Sequence, residues 1–283
     1  MATSTRTVGL LHPGEMGSAV GATLVAGGAR VLWASEGRSA ATRARAAELG
    51  LEDAGTIGSV ARASEVIVSV APPHGALEVA RAVAALGFHG VYVDANAVAP
   101  GTGREIGTVV EKAGARFVDG GIIGPANRKP GAARIYLSGQ GAAAVASLFA
   151  AGPIDAVVLD APAGAASALK MAYAGWTKGS QALLAAMRTF AIAEGVDAAL
   201  LAEWKISQPD VPARSERAFS DNARKAWRFV GEMDEIASSL AAAGLPAEFH
   251  LGAREIYTRL AVYKDTAPPT VEDAAKTLLG KGR

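Results

Sequence analysis

Up to about Leu159, short apolar runs alternate with Ala-rich amphipathic segments of helical length. The runs predict strands over Thr7–Leu11, Arg30–Ala34, Glu65–Val70, Val91–Asp94, Phe117–Ile122, Ile135–Ser138 and Val157–Leu159. Between many of them, Met16–Ala26, Ser39–Leu49, His74–Leu86 and Arg104–Ala113 predict helices. Such alternation is that of crossover units feeding a mostly parallel sheet. Val8-Gly9-Leu10-Leu11 and Val66-Ile67-Val68-Ser69-Val70 are almost continuously apolar, as in strands covered on both faces. After Pro162 the strand signals stop. Gly164 to Glu194 contains no proline and predicts one long helix, followed by helices over Ala198–Ser207, Ser215–Ala243 and Ala247–Ala261. The tail from Asp265, with Pro268-Pro269, predicts a surface extension ending in a short helix.

This pattern predicts an α/β Rossmann-type dinucleotide-binding domain over residues 1–162. An all-α substrate and dimerisation domain over 163–283 would follow, opened by an interdomain helix over 164–194. A length of 283 residues suits two such domains. The formal charge of +1 gives no electrostatic case for a nucleic-acid or anionic-membrane partner. The chain has no cysteine, which excludes disulfides, thiolate metal sites and cysteine nucleophiles, and no metal is expected. Met1 to Thr7 lacks the apolar core of a signal peptide, and no window reaches the ~18 apolar residues of a membrane span. Cytoplasmic residence is the resulting expectation.

The first strand runs into His12-Pro13-Gly14-Glu15-Met16-Gly17 and then a helix of small residues. In a dinucleotide fold, glycines here give a tight turn, admit the pyrophosphate to the backbone and let helix pack on strand. The helix N-terminus then offers free N–H groups to the phosphates. Gly14 and Gly17 fill the second and third glycine positions, and His12 stands at the first. Roughly 20 residues on, Ser35-Glu36-Gly37-Arg38-Ser39 follows the second strand, where the adenosine ribose is read. Glu36 could accept from both ribose hydroxyls of NAD; Arg38, with Ser35 and Ser39, could hold the 2′-phosphate of NADP. The balance leans to NADP. Ser39 also suits a plain helix N-cap. Val70-Ala71-Pro72-Pro73 and the loop holding Asn96 also sit at strand ends, where open α/β sheets bind ligands. Asn96 offers a donor and an acceptor to the nicotinamide ribose or to substrate.

Between Asp160 and Arg188 the only charges are Lys170 and Lys178. Ser167, Lys170, Ala174, Thr177 and Gln181 recur at helical spacing and trace one mildly polar stripe, expected to line the interdomain cleft. A helical lysine is usually a solvated charge. One isolated in so apolar a segment suits acid–base work better.

With these residues in view, the chain resembles the β-hydroxyacid dehydrogenase and 6-phosphogluconate dehydrogenase-like family, which includes imine reductases. Gly14-Glu15-Met16-Gly17, Val70-Ala71-Pro72-Pro73, Asp119-Gly120-Gly121-Ile122-Ile123-Gly124 and Gly164 through Lys170-Met171 carry the resemblance. Glu36-Gly37-Arg38-Ser39, the Asp119 segment and Thr177-Lys178-Gly179 are similar to an uncharacterised branch with a C-terminal domain of unknown function. The resemblance implies a Rossmann domain, an all-α domain, a homodimer and a catalytic lysine at Lys170. The sequence departs from the family where Ile123 replaces a substrate-binding serine, Ala174 an asparagine and Thr177 the acid of the decarboxylating sugar-phosphate enzyme. 6-Phosphogluconate is thereby rejected as substrate, and a rather apolar pocket is expected.

The reaction expected is reversible hydride transfer between nicotinamide and a carbonyl or alcohol carbon, with Lys170 as general acid–base. Tyr173 and Lys178 are candidates for holding substrate beside Ala174, with Gly121, Ile122, Ile123 and Gly124 as a backbone wall. Imine reduction on the same scaffold, and a dinucleotide-binding sensor without turnover, are the alternatives. In the C-terminal domain, Arg228 and Glu232 are spaced for a surface ion pair.

Overall fold

The computed structural model describes residues 5–280; residues 1–4, part of the N-terminal segment read above, lie outside them. Two compact units divide the chain, Met1–Met171 and Ala172–Arg283.

The first unit is built on β1 (Thr7–Leu11), α1 (Glu15–Ala26), β2 (Arg30–Trp33), α2 (Ala40–Glu48), β3 (Glu52–Asp53), α3 (Ile57–Ala63) and β4 (Val66–Ser69). It continues through α4 (Pro73–Ala85), β5 (Val91–Asp94), α5 (Pro100–Lys112), β6 (Arg116–Ile123), β7 (Ala133–Ser138), α6 (Ala142–Ala146) and β8 (Ile154–Val158). It closes on the start of α7 (Ala165–Ala193). The sheet order is β3-β2-β1-β4-β5-β6-β7-β8, parallel throughout except where β6 meets β7. The Rossmann-type reading of the chain is thus realised.

Side chains alternate between two buried layers, as the two-residue period of a strand requires. Val8, Leu10, Val31, Trp33, Val66 and Val68 enter the layer that holds Ala19, Val20 and Leu24 of α1. Leu11, Leu32 and Ile67 face the other way, onto Val60 of α3, Ala76, Ala80 and Val83 of α4, and Ile106 and Val110 of α5. The expected helix start at Ser39 is realised as an N-cap, its hydroxyl accepting from Thr42 N at 3.3 Å.

The second unit holds the remainder of α7, then α8 (Asp197–Ser207), α9 (Val211–Phe219), α10 (Ala226–Ala242), α11 (Glu248–Leu260) and α12 (Val271–Leu278). No strand occurs there among the described residues. The single helix expected over Ser215–Ala243 is two. Ser220-Asp221-Asn222 ends α9, and a turn of 3-10 helix, Ala223–Lys225, leads into α10. Short polar side chains of this kind compete with helical backbone bonds, which favours a break. Phe229 of α10 meets Tyr257 of α11 edge-on, with ring centroids 5.1 Å apart. No helix among the described residues is long and apolar enough to cross a membrane.

Candidate active site

Strand register brings the motif segments to one edge of the sheet. Leu11 pairs with Ser69, Ser69 with Asp94, and Asp94 with Asp119, so these four lie in a row across adjacent strands. The residues that follow each of them form the carboxyl edge, where ligands of open α/β sheets bind. His12 to Gly17, Val70 to Pro73, Asn96, and Gly120 to Ile123 all belong there. Beyond Asp119, β6 keeps only its antiparallel partner β7, so its other edge has no strand beside it.

The glycine turn is intact in its backbone. His12 has φ 68°, the left-handed conformation for which glycine is usual, and so holds the shape that the missing first glycine would give. Gly14 is the N-cap of α1 and precedes Glu15 and Met16 of its first turn. A Cβ at Gly14 would meet nothing, whereas one at Gly17 would fall on the His12 carbonyl oxygen. Open space at Gly14, in front of a helix N-terminus, is a cradle of the kind that admits a pyrophosphate.

The ribose-reading loop follows β2. Arg38 is half-buried and makes no ion pair among the described residues, while Glu36 is exposed. Burial lowers the Arg38 guanidinium below its ordinary value. Gly37, with φ 68°, makes the turn between them. Ser35 is buried and committed elsewhere: its hydroxyl bonds Asp53, which holds that carboxyl below the usual range. Ser39 is spent on capping α2. Arg38 is therefore the group of this loop best placed to take an anion.

Nδ1 of His12 is buried without a hydrogen-bond partner, and burial together with the Arg38 charge lowers the imidazole to about 4. The ordinary value, near 6.5, applies in the unfolded chain, which therefore binds the proton first as pH falls. Stability contributed by neutral His12 is complete above about pH 6.5 and lost on the way down to about 4. The expected slope is at most about 1.4 kcal/mol per pH unit. His12→Asn, which tolerates a left-handed backbone, should flatten the fall in Tm between pH 6.5 and 4 measured by thermal unfolding. Equal slopes for both proteins contradict this.

The reaction end is organised by Asp119. This fully buried carboxylate accepts from Ser138 Oγ at 2.9 Å, Gly164 N at 2.9 Å, Ser167 N at 3.0 Å and Ser167 Oγ at 2.5 Å. Ser138 Oγ in turn accepts from Ala166 N at 3.0 Å, and Ala165 N donates to the Pro162 carbonyl. The donors that a helix start leaves open are thus met at α7 by side chains of β6 and β7 and by the preceding loop. Each bond to a carboxylate contributes about 1.5–3 kcal/mol against an unmet buried donor. Sequence reasoning missed this cluster, although Ser167 lay on the stripe it identified.

One turn on stands Lys170, half-buried. A Cβ at Gly121 would lie 2.6 Å from the Ala166 carbonyl oxygen and 3.0 Å from Lys170 Cβ. Glycine at 121 is therefore what lets helix α7 and its lysine lie against β6. Gly124, with φ 127°, turns the chain away beyond the strand.

Several of the expected contact residues also bond or pack within the chain. Asn96 is 2% exposed; its oxygen accepts from Ala71 N at 2.5 Å, and its amide nitrogen donates to Asp94 and to Ser69 Oγ. It ties the two loops that follow β4 and β5 together. Val70 packs against the core, and Pro72 and Pro73 cap and start α4. Ile122 and Ile123 are buried, so only their backbone can serve as a wall. In the helical unit, Tyr173 is exposed and Ala174 buried. Lys178 pairs with Glu232, lies 4.6 Å from the centroid of the Phe229 ring, and has its carbonyl bonded by Tyr257 OH. Glu232 is thus turned to a half-buried cation on another helix. Sequence spacing along one helix could not reveal a partner on another.

Comparison with known proteins places these features. Residues 191–260 match the family described as a domain of unknown function, DUF1932. An uncharacterised 28.5 kDa protein from Methanothermus fervidus is 32% identical over 159 residues, which cover 56% of this chain and 59% of that relative. Conserved protein MTH1747, of unknown function and described as similar in structure to 3-hydroxyacid dehydrogenases, is 27% identical. Its TM-score is 0.68, over 98% of this chain and 99% of its own. A Mycobacterium tuberculosis 3-hydroxyisobutyrate dehydrogenase, solved with L-serine, has 19% identity and a TM-score of 0.68, over 97% and 99% of the two chains. A reductive aminase from Aspergillus terreus, solved with NADPH and ethyl levulinate, has 21% identity and a TM-score of 0.57, over 99% and 100%. The fold is therefore similar to that of 3-hydroxyacid dehydrogenases. The chain carries the C-terminal domain of unknown function that the resemblance implied.

Proposed function

We propose that the protein is a nicotinamide-dependent oxidoreductase acting on a carbonyl or alcohol carbon of a small, rather apolar substrate. The observation that carries this reading is Lys170, held against the Gly121 backbone at the same sheet edge that presents the open Gly14 turn. The residues fit a dinucleotide. Gly14 has room for a pyrophosphate against α1, and the half-buried Arg38, without an ion pair among the described residues, suits the 2′-phosphate of NADP over the plain ribose of NAD. When bound, the nicotinamide supplies or accepts the hydride.

The chain's own residues do the rest. As the carbonyl carbon gains a hydride, its oxygen takes a proton from Lys170 Nζ; in the reverse direction neutral Lys170 removes the hydroxyl proton. The backbone of Gly121 to Gly124 flanks the substrate. The test is NADPH oxidation measured against a panel of small ketones, aldehydes and cyclic imines. Turnover of carbonyl compounds supports the reading. Activity on cyclic imines alone would favour imine reduction instead.

The homodimer implied by the resemblance is part of the proposal, as is cytoplasmic residence. Trp176 (70% exposed), Leu183, Met187 and Phe190 (61% exposed) form an apolar seam at helical spacing on α7. Continuous exposed apolar surface of this kind marks an interface, and a second copy of the chain offers the same seam. Phe190→Glu is expected to shift the protein from dimer to monomer in sedimentation velocity. An unchanged dimer would place the interface elsewhere.

A further inference from the structure

We infer that Asp119 is the positioning residue for Lys170, acting through the first turn of α7; the inference rests on the acid–base reading of Lys170. Asp119 touches neither Lys170 nor the open edge of β6 through any bond described above. Its oxygens are taken up by Ser138, Gly164 and Ser167. Those partners define where α7 begins. Gly164, with φ 102°, turns the chain into the helix, and its N–H is fixed on the carboxylate. Ser167 is held twice, through N–H and hydroxyl, one helical turn ahead of Lys170. A residue held twice on a helix start fixes rotation as well as height, so the direction of the lysine stem one turn later is set.

The strand side is fixed by the same residue. Asp119 pairs with Asp94 on β5 and with Ser138 on β7, and Gly121 lies two residues beyond it, under Lys170 Cβ. One carboxylate thus ties together the strand that forms the substrate wall and the helix that carries the proton. The neighbours leave it room for this. A Cβ at Gly103 of α5 would lie 3.2 Å from Ser167 Oγ and 3.6 Å from Asp119 Oδ1, so glycine there keeps the cluster uncrowded.

Asp119→Asn is the informative change. An amide oxygen cannot accept from all the donors gathered on the carboxylate, and its NH₂ faces groups that are themselves donors. The test uses full-length protein reductively methylated with ¹³C-formaldehyde, which gives each lysine a dimethylamino NMR resonance. Lys170→Met assigns the Lys170 signal by its loss, and exposed Lys112 serves as reference. In Asp119→Asn the Lys170 resonance should move toward that of Lys112, with the Lys178 resonance unchanged. Ser167→Ala, which removes one hydroxyl, should move Lys170 in the same direction by less, and keeps the test available if Asp119→Asn does not fold. A Lys170 signal unmoved in both variants overturns the inference, even if Tm falls, because a merely structural bond would lower Tm alone. Failure of the wild type to bind NADPH would instead remove the acid–base reading, whatever the lysine spectrum does.

Discussion

Lys170→Met is expected to lower turnover by roughly 10²–10⁴-fold while dinucleotide affinity stays at the wild-type value. Methionine keeps an unbranched apolar stem of similar length, so packing beside Gly121 is preserved and the proton is removed. The oxygen that gains charge as hydride arrives then loses the acid assigned to it. The check is steady-state NADPH oxidation with the best substrate of the panel, alongside thermal unfolding. Full turnover in a folded Lys170→Met protein would remove the lysine from the chemistry. Lost NADPH affinity would mean that it binds cofactor instead.

The second large effect separates fold from ligand at the glycine turn. Gly14→Ala is expected to leave Tm unchanged and to weaken NADPH binding at least tenfold, because the new methyl group meets no protein atom but projects into the space assigned to the pyrophosphate. Gly17→Ala should do the reverse in kind. Its Cβ would fall on the His12 carbonyl oxygen, a backbone atom that cannot move without opening the turn. Overpacking of this sort costs about 1–3 kcal/mol or more, so Tm itself should fall. Thermal shift with and without NADPH reads both variants. Equal affinity in Gly14→Ala and wild type would place the pyrophosphate elsewhere or nowhere.

Much of the fold can be read in the sequence because its strands are buried on both faces and its helices are long. Val8 to Leu11 and Val66 to Val70 leave little else for a chain to do. Elements with weak patterns escape. β3 is the pair Glu52–Asp53, polar and exposed, and exists because Leu32 and Trp33 of β2 offer it an edge. α3, α6 and the break at Ser220 are short, and local tertiary contacts decide them.

The site was legible to the same degree. The motif positions Gly14, Arg38, Gly121 and Lys170 meet at one sheet edge or at its neighbouring loops, which the alternation of strand and helix implied. Side-chain orientation was not. His12 reads as a broken motif until its φ of 68° is known. The bonds of Asn96 to Ala71 and Asp94, and of Lys178 to Glu232, are likewise visible only in the folded chain. The Asp119 cluster joins residues far apart in the chain, and nothing local to any of them announces the others.

Fluorescence titration of the purified protein with NADPH and with NADH reads the cofactor site itself. The arrangement of Gly14 and Arg38 predicts saturable binding of NADPH, tighter than NADH, with the difference abolished in Arg38→Ala. Binding of neither dinucleotide would contradict the reading of the whole sheet edge as a cofactor site.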